Sequence, residues 1–203
     1  MTTFIRWVFL STVVMLLSAC GYNDIQRLDE QVKATWSQAL NQYERRADLV
    51  PKLVSSVNAY MANERTVLTD VTNARAKVGQ INVHVDDLDD PELMRKFNQA
   101  QGELSSALSR LLAVSESYPE LKSDGLVRDL MTQLEGTENR IATERGRFVQ
   151  AIQQYNQFIR QFPTVLTAKL LGYEVKANYG MDRQEEIMRN PDVRFDVPGA
   201  QAN

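Results

Sequence analysis

From Ile25 to Val78 apolar side chains recur at steps of three and four almost without a break: Ile25, Leu28, Val32, Trp36, Ala39, Tyr43, Val50, Leu53, Val57, Tyr60, Val67, Val71, Ala74, Val78. That period gathers them on one face of an α-helix, whereas a strand would scatter them over both of its faces. The segment contains no Gly and a single Pro, Pro51. Straight, it would extend about 80 Å at about 1.5 Å per residue. Pro51 has two readings. Arg45 and Arg46 suit a helix C-terminus, and Asp48 suits the N-cap of a new helix with Pro51 in its first turn. Against that split, the apolar phase continues unchanged through Pro51, which favours one kinked helix.

The rest of the chain repeats the pattern. Gly79 to Asp90 reads as a loop, with Ile81 to Val85 alternating and Asp86, Asp87, Asp89 and Asp90 acidic. Asp90-Pro91-Glu92 is a helix start signal, cap followed by first-turn proline. A second helix carries Leu93, Phe97, Ala100, Leu104, Ala107, Leu111, Val114 and Tyr118, and Pro119 ends it or nearly so. Ser123 or Asp124 caps the next, whose face holds Leu126, Leu130, Leu134, Ile141, Phe148, Ile152, Tyr155, Ile159 and Phe162. Pro163 stops that helix and starts a short one reaching Leu171 and Gly172. With 9 Gly and 6 Pro in 203 residues, an all-β fold with its many turns is disfavoured. Residues 181–203 read as an extended, partly disordered tail.

The N-terminus has a different character. Arg6 precedes an apolar run from Trp7 to Ala19, which is shorter than the roughly 20 residues of a spanning helix and fits a signal h-region of about 7–15. The run ends in Leu17-Ser18-Ala19-Cys20-Gly21, which resembles the bacterial lipobox. A thiol is needed for the thioether to diacylglycerol, and small neighbours for the peptidase cleft. The expected organisation is a signal peptide over 1–19, a lipid-anchored linker over 20–24 with Cys20 acylated, a helical body over 25–180 and the tail. Each buried CH₂ contributes about 0.8 kcal/mol, so two or three acyl chains make a durable anchor. Gly21, where an Asp would signal inner-membrane retention, favours the outer membrane in a bacterium that has one, and otherwise the plasma membrane.

The motifs Arg45-Arg46-Ala47-Asp48-Leu49-Val50-Pro51-Lys52-Leu53-Val54, Glu116-Ser117-Tyr118-Pro119-Glu120-Leu121-Lys122, Tyr155-Asn156, Phe162-Pro163 and Gly172-Tyr173 together resemble the LemA family of bacterial membrane-attached proteins. Trp36, Tyr60, Glu64, Glu138 and Arg147 belong to the same set. The resemblance runs from about Tyr22 to Phe195. It implies an all-α, antiparallel, four-helix-bundle-like fold outside an N-terminal membrane attachment, with no established catalytic activity. The resemblance implies that many members attach through a transmembrane helix, where this chain has a lipobox.

Chemistry-bearing constellations are sparse. One Cys excludes a disulfide framework and thiolate clusters, and one His, His84, excludes multi-histidine metal sites. His84 with Asp86, Asp87, Asp89 and Asp90 invites a divalent-cation reading, yet the loop lacks the ligand order of an EF-hand and reads as a solvated acidic loop. Arg46 interrupts the series Val32, Ala39, Arg46, Leu53, Tyr60. Glu64 falls between Val57 and Val71, and Glu144 between Ile141 and Phe148. Such inward charges form interhelical ion pairs more often than acid–base machinery. Trp36, Tyr43, Tyr155, Phe158 and Phe162 are expected in the core, with Trp36, Tyr155 and Phe162 largely buried. Phosphate loops, a nucleophile elbow and a basic nucleic-acid face are absent, and the net charge is −3. The expectation is a lipid-anchored, non-enzymatic interaction or scaffold protein with protein partners at the envelope, needing no cofactor. The alternative is a module binding a small ligand or cation through the bundle interior or loop 84–90.

Overall fold

The computed structural model describes the backbone of residues 2–177, with side chains over 6–7, 21–121 and 123–177. The side chain of Cys20 and the tail 181–203 lie outside these. The described residues form six helices and a 3-10 turn: α1 (Thr2–Val57), α2 (Arg65–Gly79), the turn Val85–Asp89, α3 (Pro91–Ser115), α4 (Pro119–Ser123), α5 (Gly125–Arg160) and α6 (Thr164–Leu171). No strand occurs among the described residues. The bundle is all-α, with the long α1 and α5 packed along each other, α2 packed on α3, and α6 laid across the end where α1 and α5 meet.

α1 passes through Pro51 as one helix. The proline lacks an N–H and its ring crowds the carbonyl of Ala47. It is tolerated because Pro51 faces solvent while Val50 and Leu53 beside it are buried. The helical stripe does not continue straight to Val78, however. After Val57 the chain reverses over residues 58–64, closed by Met61 N–H donating to the Val57 carbonyl at 2.9 Å and Glu64 N–H to that of Met61 at 2.9 Å. No Gly or Pro marks this reversal. Met61 is fully buried at its centre, and Tyr60, expected on the inward stripe, is exposed. The hydroxyl of Tyr60 instead donates to Asp124 Oδ2 at 3.0 Å. The reversal lets Leu68, Val71, Ala74 and Val78 of α2 bury against α3, where a straight helix would carry them past the end of the bundle.

The start signals act as expected. Asp90 Oδ1 accepts from Leu93 N–H at 3.0 Å, with Pro91 opening α3. Asp124, rather than Ser123, caps α5, accepting from Leu126 and Val127 at 2.9 and 3.2 Å. The Val127 N–H and the Tyr60 hydroxyl hold its carboxyl below the usual range. At the other end, α6 stops at Gly172, whose φ of +75° suits glycine and turns the chain back. Asn156 then brackets the following strap: its amide donates to the Lys176 carbonyl at 2.8 Å and its oxygen accepts from Lys176 N–H at 2.9 Å. Tyr173 takes a hydrogen bond from Gln26.

Of the three aromatics expected to be largely buried, Trp36 and Tyr155 are, but Phe162 is 81% exposed. Its helix ends at Arg160, so the residue no longer shares the α5 face that the spacing assigned to it. Leu126, in the first turn of α5, is likewise exposed, because the next residue, Val127, takes the inward face together with Leu130 and Leu134.

Two stability outcomes follow. Trp36→Ala should cost about 3–5 kcal/mol, the range for deleting a buried aromatic. Pro51→Ala should raise stability by about 1–3 kcal/mol, since it restores a helix hydrogen bond and loses only a smaller unfolded-state entropy advantage. Urea melts of the chain beginning at Gly21 read both. An unchanged midpoint for Trp36→Ala would contradict the packing described, and a lower one for Pro51→Ala would mean that the proline is not a net burden to α1.

Candidate functional site

The buried interior falls into two apolar clusters. One holds Leu53, Val57, Met61, Val71, Leu104, Leu108, Leu111 and Leu134. The other holds Ile25, Val32, Trp36, Tyr43, Met94, Phe97, Phe148, Ile152 and Tyr155. Between them, at the position where the α1 heptad turns polar, sits Arg46, only 1% exposed. Its Nη1 donates to Ser105 Oγ at 2.6 Å and to Glu138 Oε1 at 2.7 Å. Its Nη2 donates to the Gln101 backbone carbonyl at 3.3 Å and also to the Gln101 side-chain oxygen. Ser105 completes the ring by donating to Glu138 Oε2 at 3.3 Å, and the guanidinium carbon lies 5.3 Å from the Tyr43 ring centroid. One residue of α1 is thus bound to one turn of α3 and one of α5. Nε is buried without a partner. Glu138 keeps 33% of its side chain exposed, so the pair sits at the edge of the core rather than sealed in it.

The fold does not bring the other two inward charges to this layer. Glu64 precedes α2 and accepts from the Tyr118 hydroxyl at 3.1 Å. Glu144 pairs with Arg147 on its own helix at 2.7 Å. The acidic loop is also divided among separate tasks. Asp87 accepts from His84 N–H at 2.7 Å, Asp90 caps α3, and Asp89 faces Lys176 at 3.4 Å. No group of three or more His, Cys, Asp or Glu converges on a common point among the described residues. Lys176 gathers the strap end: it pairs with Asp29 at 3.1 Å and lies 5.5 Å from the Tyr155 ring centroid.

The aromatics fill space against one another. Trp36 stands 5.0 Å from Phe148 and 5.7 Å from Phe97, and Tyr43 meets Phe97 edge-on at 5.2 Å. Edge and tilted contacts of this kind are core packing. Their ionisation follows. Burial, then the Asp29 carboxylate, pushes the Tyr155 phenol up to about 12. Burial also raises Tyr43; Tyr60 is raised first by its hydrogen bond to Asp124, and Tyr118 first by desolvation and then by its hydrogen bond to Glu64. Lys33 is raised by Asp29, and Glu103 is lowered by the Lys77 ammonium. Each of these shifts leads away from neutrality, the reverse of what a general acid or base requires.

Among the residues that form the arginine layer, the heptad pattern singled out Arg46 alone. Glu138 stood among the motif residues without a role, and Gln101 and Ser105 carried no signal, being ordinary polar residues on an amphipathic helix. The Asn156 clamp was equally hidden in a Tyr-Asn pair.

The layer makes an asymmetric outcome testable. Glu138→Ala strands a buried guanidinium and should cost about 3–5 kcal/mol. Arg46→Met removes the charge and retains much of the stem. Glu138 is then free to turn to solvent, and the main loss is the orphaned Gln101 oxygen, about 1–2 kcal/mol. Chemical denaturation of both variants checks the order. Arg46→Met costing more than Glu138→Ala would mean that the guanidinium contributes net stability beyond register.

The LemA family model matches residues 35–195. The magnetosome protein MamQ of Magnetospirillum gryphiswaldense is 26% identical over 182 residues, covering 82% of this chain. Magnetosome proteins MamQ 1 and MamQ 2 of Paramagnetospirillum magneticum are each 27% identical over 191 residues, covering 86% of this chain. The chain spans 65% of the length of the first and 68% of the other two. With the family match covering most of the chain, including the Arg46 layer, all of α5 and the strap, the chain belongs to the LemA family.

Proposed function

We propose that the protein is a lipid-anchored, non-enzymatic helical bundle that serves as an interaction or scaffold component at the bacterial cell envelope. The observation that carries this reading is the filled interior. Leu104, Leu111, Leu134, Met94 and Ile152 are fully buried on either side of Arg46. The charged groups that interrupt the apolar faces are engaged in separate pairs. What remains for function is the outer surface of long helices, which suits partner helices and extended protein contacts.

Anchoring is proposed from Cys20, the only cysteine, at the end of the apolar run. Among the described residues no helix is long and apolar enough to cross a membrane. Outer-membrane sorting is proposed from Gly21, with one qualification from packing. A Cβ at Gly21 would lie 3.3 Å from Thr164 Cγ2, so α6 alone favours a glycine there.

Two experiments test the proposal. Cys20→Ser should abolish acyl labelling and leave an unprocessed precursor, and undiminished label on the variant would overturn lipidation. Crosslinking in native membranes, read by mass spectrometry, should give discrete adducts to one or a few envelope proteins. Adducts confined to the chain itself would overturn the scaffold role.

A further inference from the structure

α6 wears its faces inverted for a helix on a water-facing surface. Thr164, Thr167 and Ala168 are buried against the bundle, whereas Leu166 is 61% exposed, Leu170 83% and Leu171 51%. Phe162, in the turn just before α6, is exposed too, and so are Tyr22 and Val175. Scattered surface leucines are ordinary, but a run of large apolar side chains on one short stretch marks an interaction surface.

Two further observations say what covers it. The first is position. The opening residue of α6 touches α1 at Gly21, through Thr164, directly after Cys20 and the Trp7–Ala19 run. Whether the chain is held by acylated Cys20 or by the apolar run itself, the bilayer surface lies at this end of the bundle. The second is charge. The chain has 26 acidic residues, yet none falls between Glu144 and Glu174. Over that interval the exposed charges nearest the stripe are Arg160 and Lys169. An apolar stretch whose own charges are cationic, with carboxylates only at its borders in Asp24 and Glu174, has the composition of a helix lying in the interface of an anionic membrane, about 5–10 Å into the headgroup–acyl boundary.

We propose that Phe162, Leu166, Leu170 and Leu171 form an interfacial docking surface that inserts into the bilayer to which the N-terminus is attached. The anchor then holds the bundle at a fixed attitude instead of leaving it on a free tether. The inference rests on the membrane-attachment reading for its placement, and the test separates the two.

The full chain is reconstituted in vesicles of phosphatidylethanolamine and phosphatidylglycerol, with a benzophenone amino acid replacing Leu166, Leu170 or, as control, Leu126. Leu126 is also exposed, at the first turn of α5 and far from Gly21. Flotation of the vesicles reports attachment, and mass spectrometry reports what each position reaches. Phospholipid adducts at 166 and 170 should exceed those at 126 by roughly tenfold, as expected for side chains held below the headgroups. The double change Leu166→Glu, Leu170→Glu should remove lipid adducts from a probe at Phe162, without altering flotation or the far-ultraviolet helix signal. Flotation without lipid adducts at 166 and 170 overturns the docking surface and leaves attachment standing. Adducts to residues 178–203 or to a second copy overturn it too, by naming a protein cover. Failure to float overturns both readings.

Discussion

A guanidinium held between two apolar clusters organises this bundle. Arg46 cannot be moved along α1 without losing Ser105 and Gln101 on α3 and Glu138 on α5 at once. Leucine stripes slide past each other at small cost, because one methyl contact replaces another. A fork of N–H donors with fixed directions does not slide. Buried ion pairs contribute little net stability once desolvation is counted, and their more frequent benefit is a defined register. The Arg46 layer has that character: it is ringed by acceptors, meets α3 and α5 near their middles, and divides an aliphatic core from an aromatic one.

The aromatic half lies toward the N-terminal end of the bundle, and its packing is reinforced from the C-terminal side. α6 closes over α1 and α5, then the strap from Gly172 returns and is clipped by Asn156, while Lys176 pairs with Asp29. Residues distant in sequence thereby converge on the first turns of α1 that follow Cys20. This end is stiffened where a tether would otherwise hinge, which connects the packing to the proposed role of a bundle presented from a membrane in a defined orientation.

Much of the site was legible as interruption. A charge on an apolar stripe is visible in one dimension, and Arg46, Glu64 and Glu144 were all found that way. Their fates differ because inwardness is a property of the assembled helices. Arg46 met acceptors from two neighbours. Glu64 fell at a helix start, where its carboxylate reaches the Tyr118 hydroxyl. Glu144 leaned to its own Arg147. Phe162 shows the converse. Its spacing matched a buried face, but a stripe has meaning only while the helix lasts, and α5 stops at Arg160.

The sequence by itself determined the helical class, the start of α3 at Asp90-Pro91, the start of α5 to within Ser123 or Asp124, the end of α6 at Gly172 and most of the buried stripe. Each of these depends on local chemistry: side-chain period, a capping carboxylate, a proline without an N–H, a glycine free to take positive φ. Tertiary structure alone decided the reversal after Val57 and the partners of Arg46. The reversal keeps the three–four apolar phase from Val57 through Met61 to Leu68, so no periodicity registers it. It forms because folding back buries α2 on α3. The acceptors for Arg46 come from residues 55 to 92 positions away, and only packing brings such distances to hydrogen-bond range.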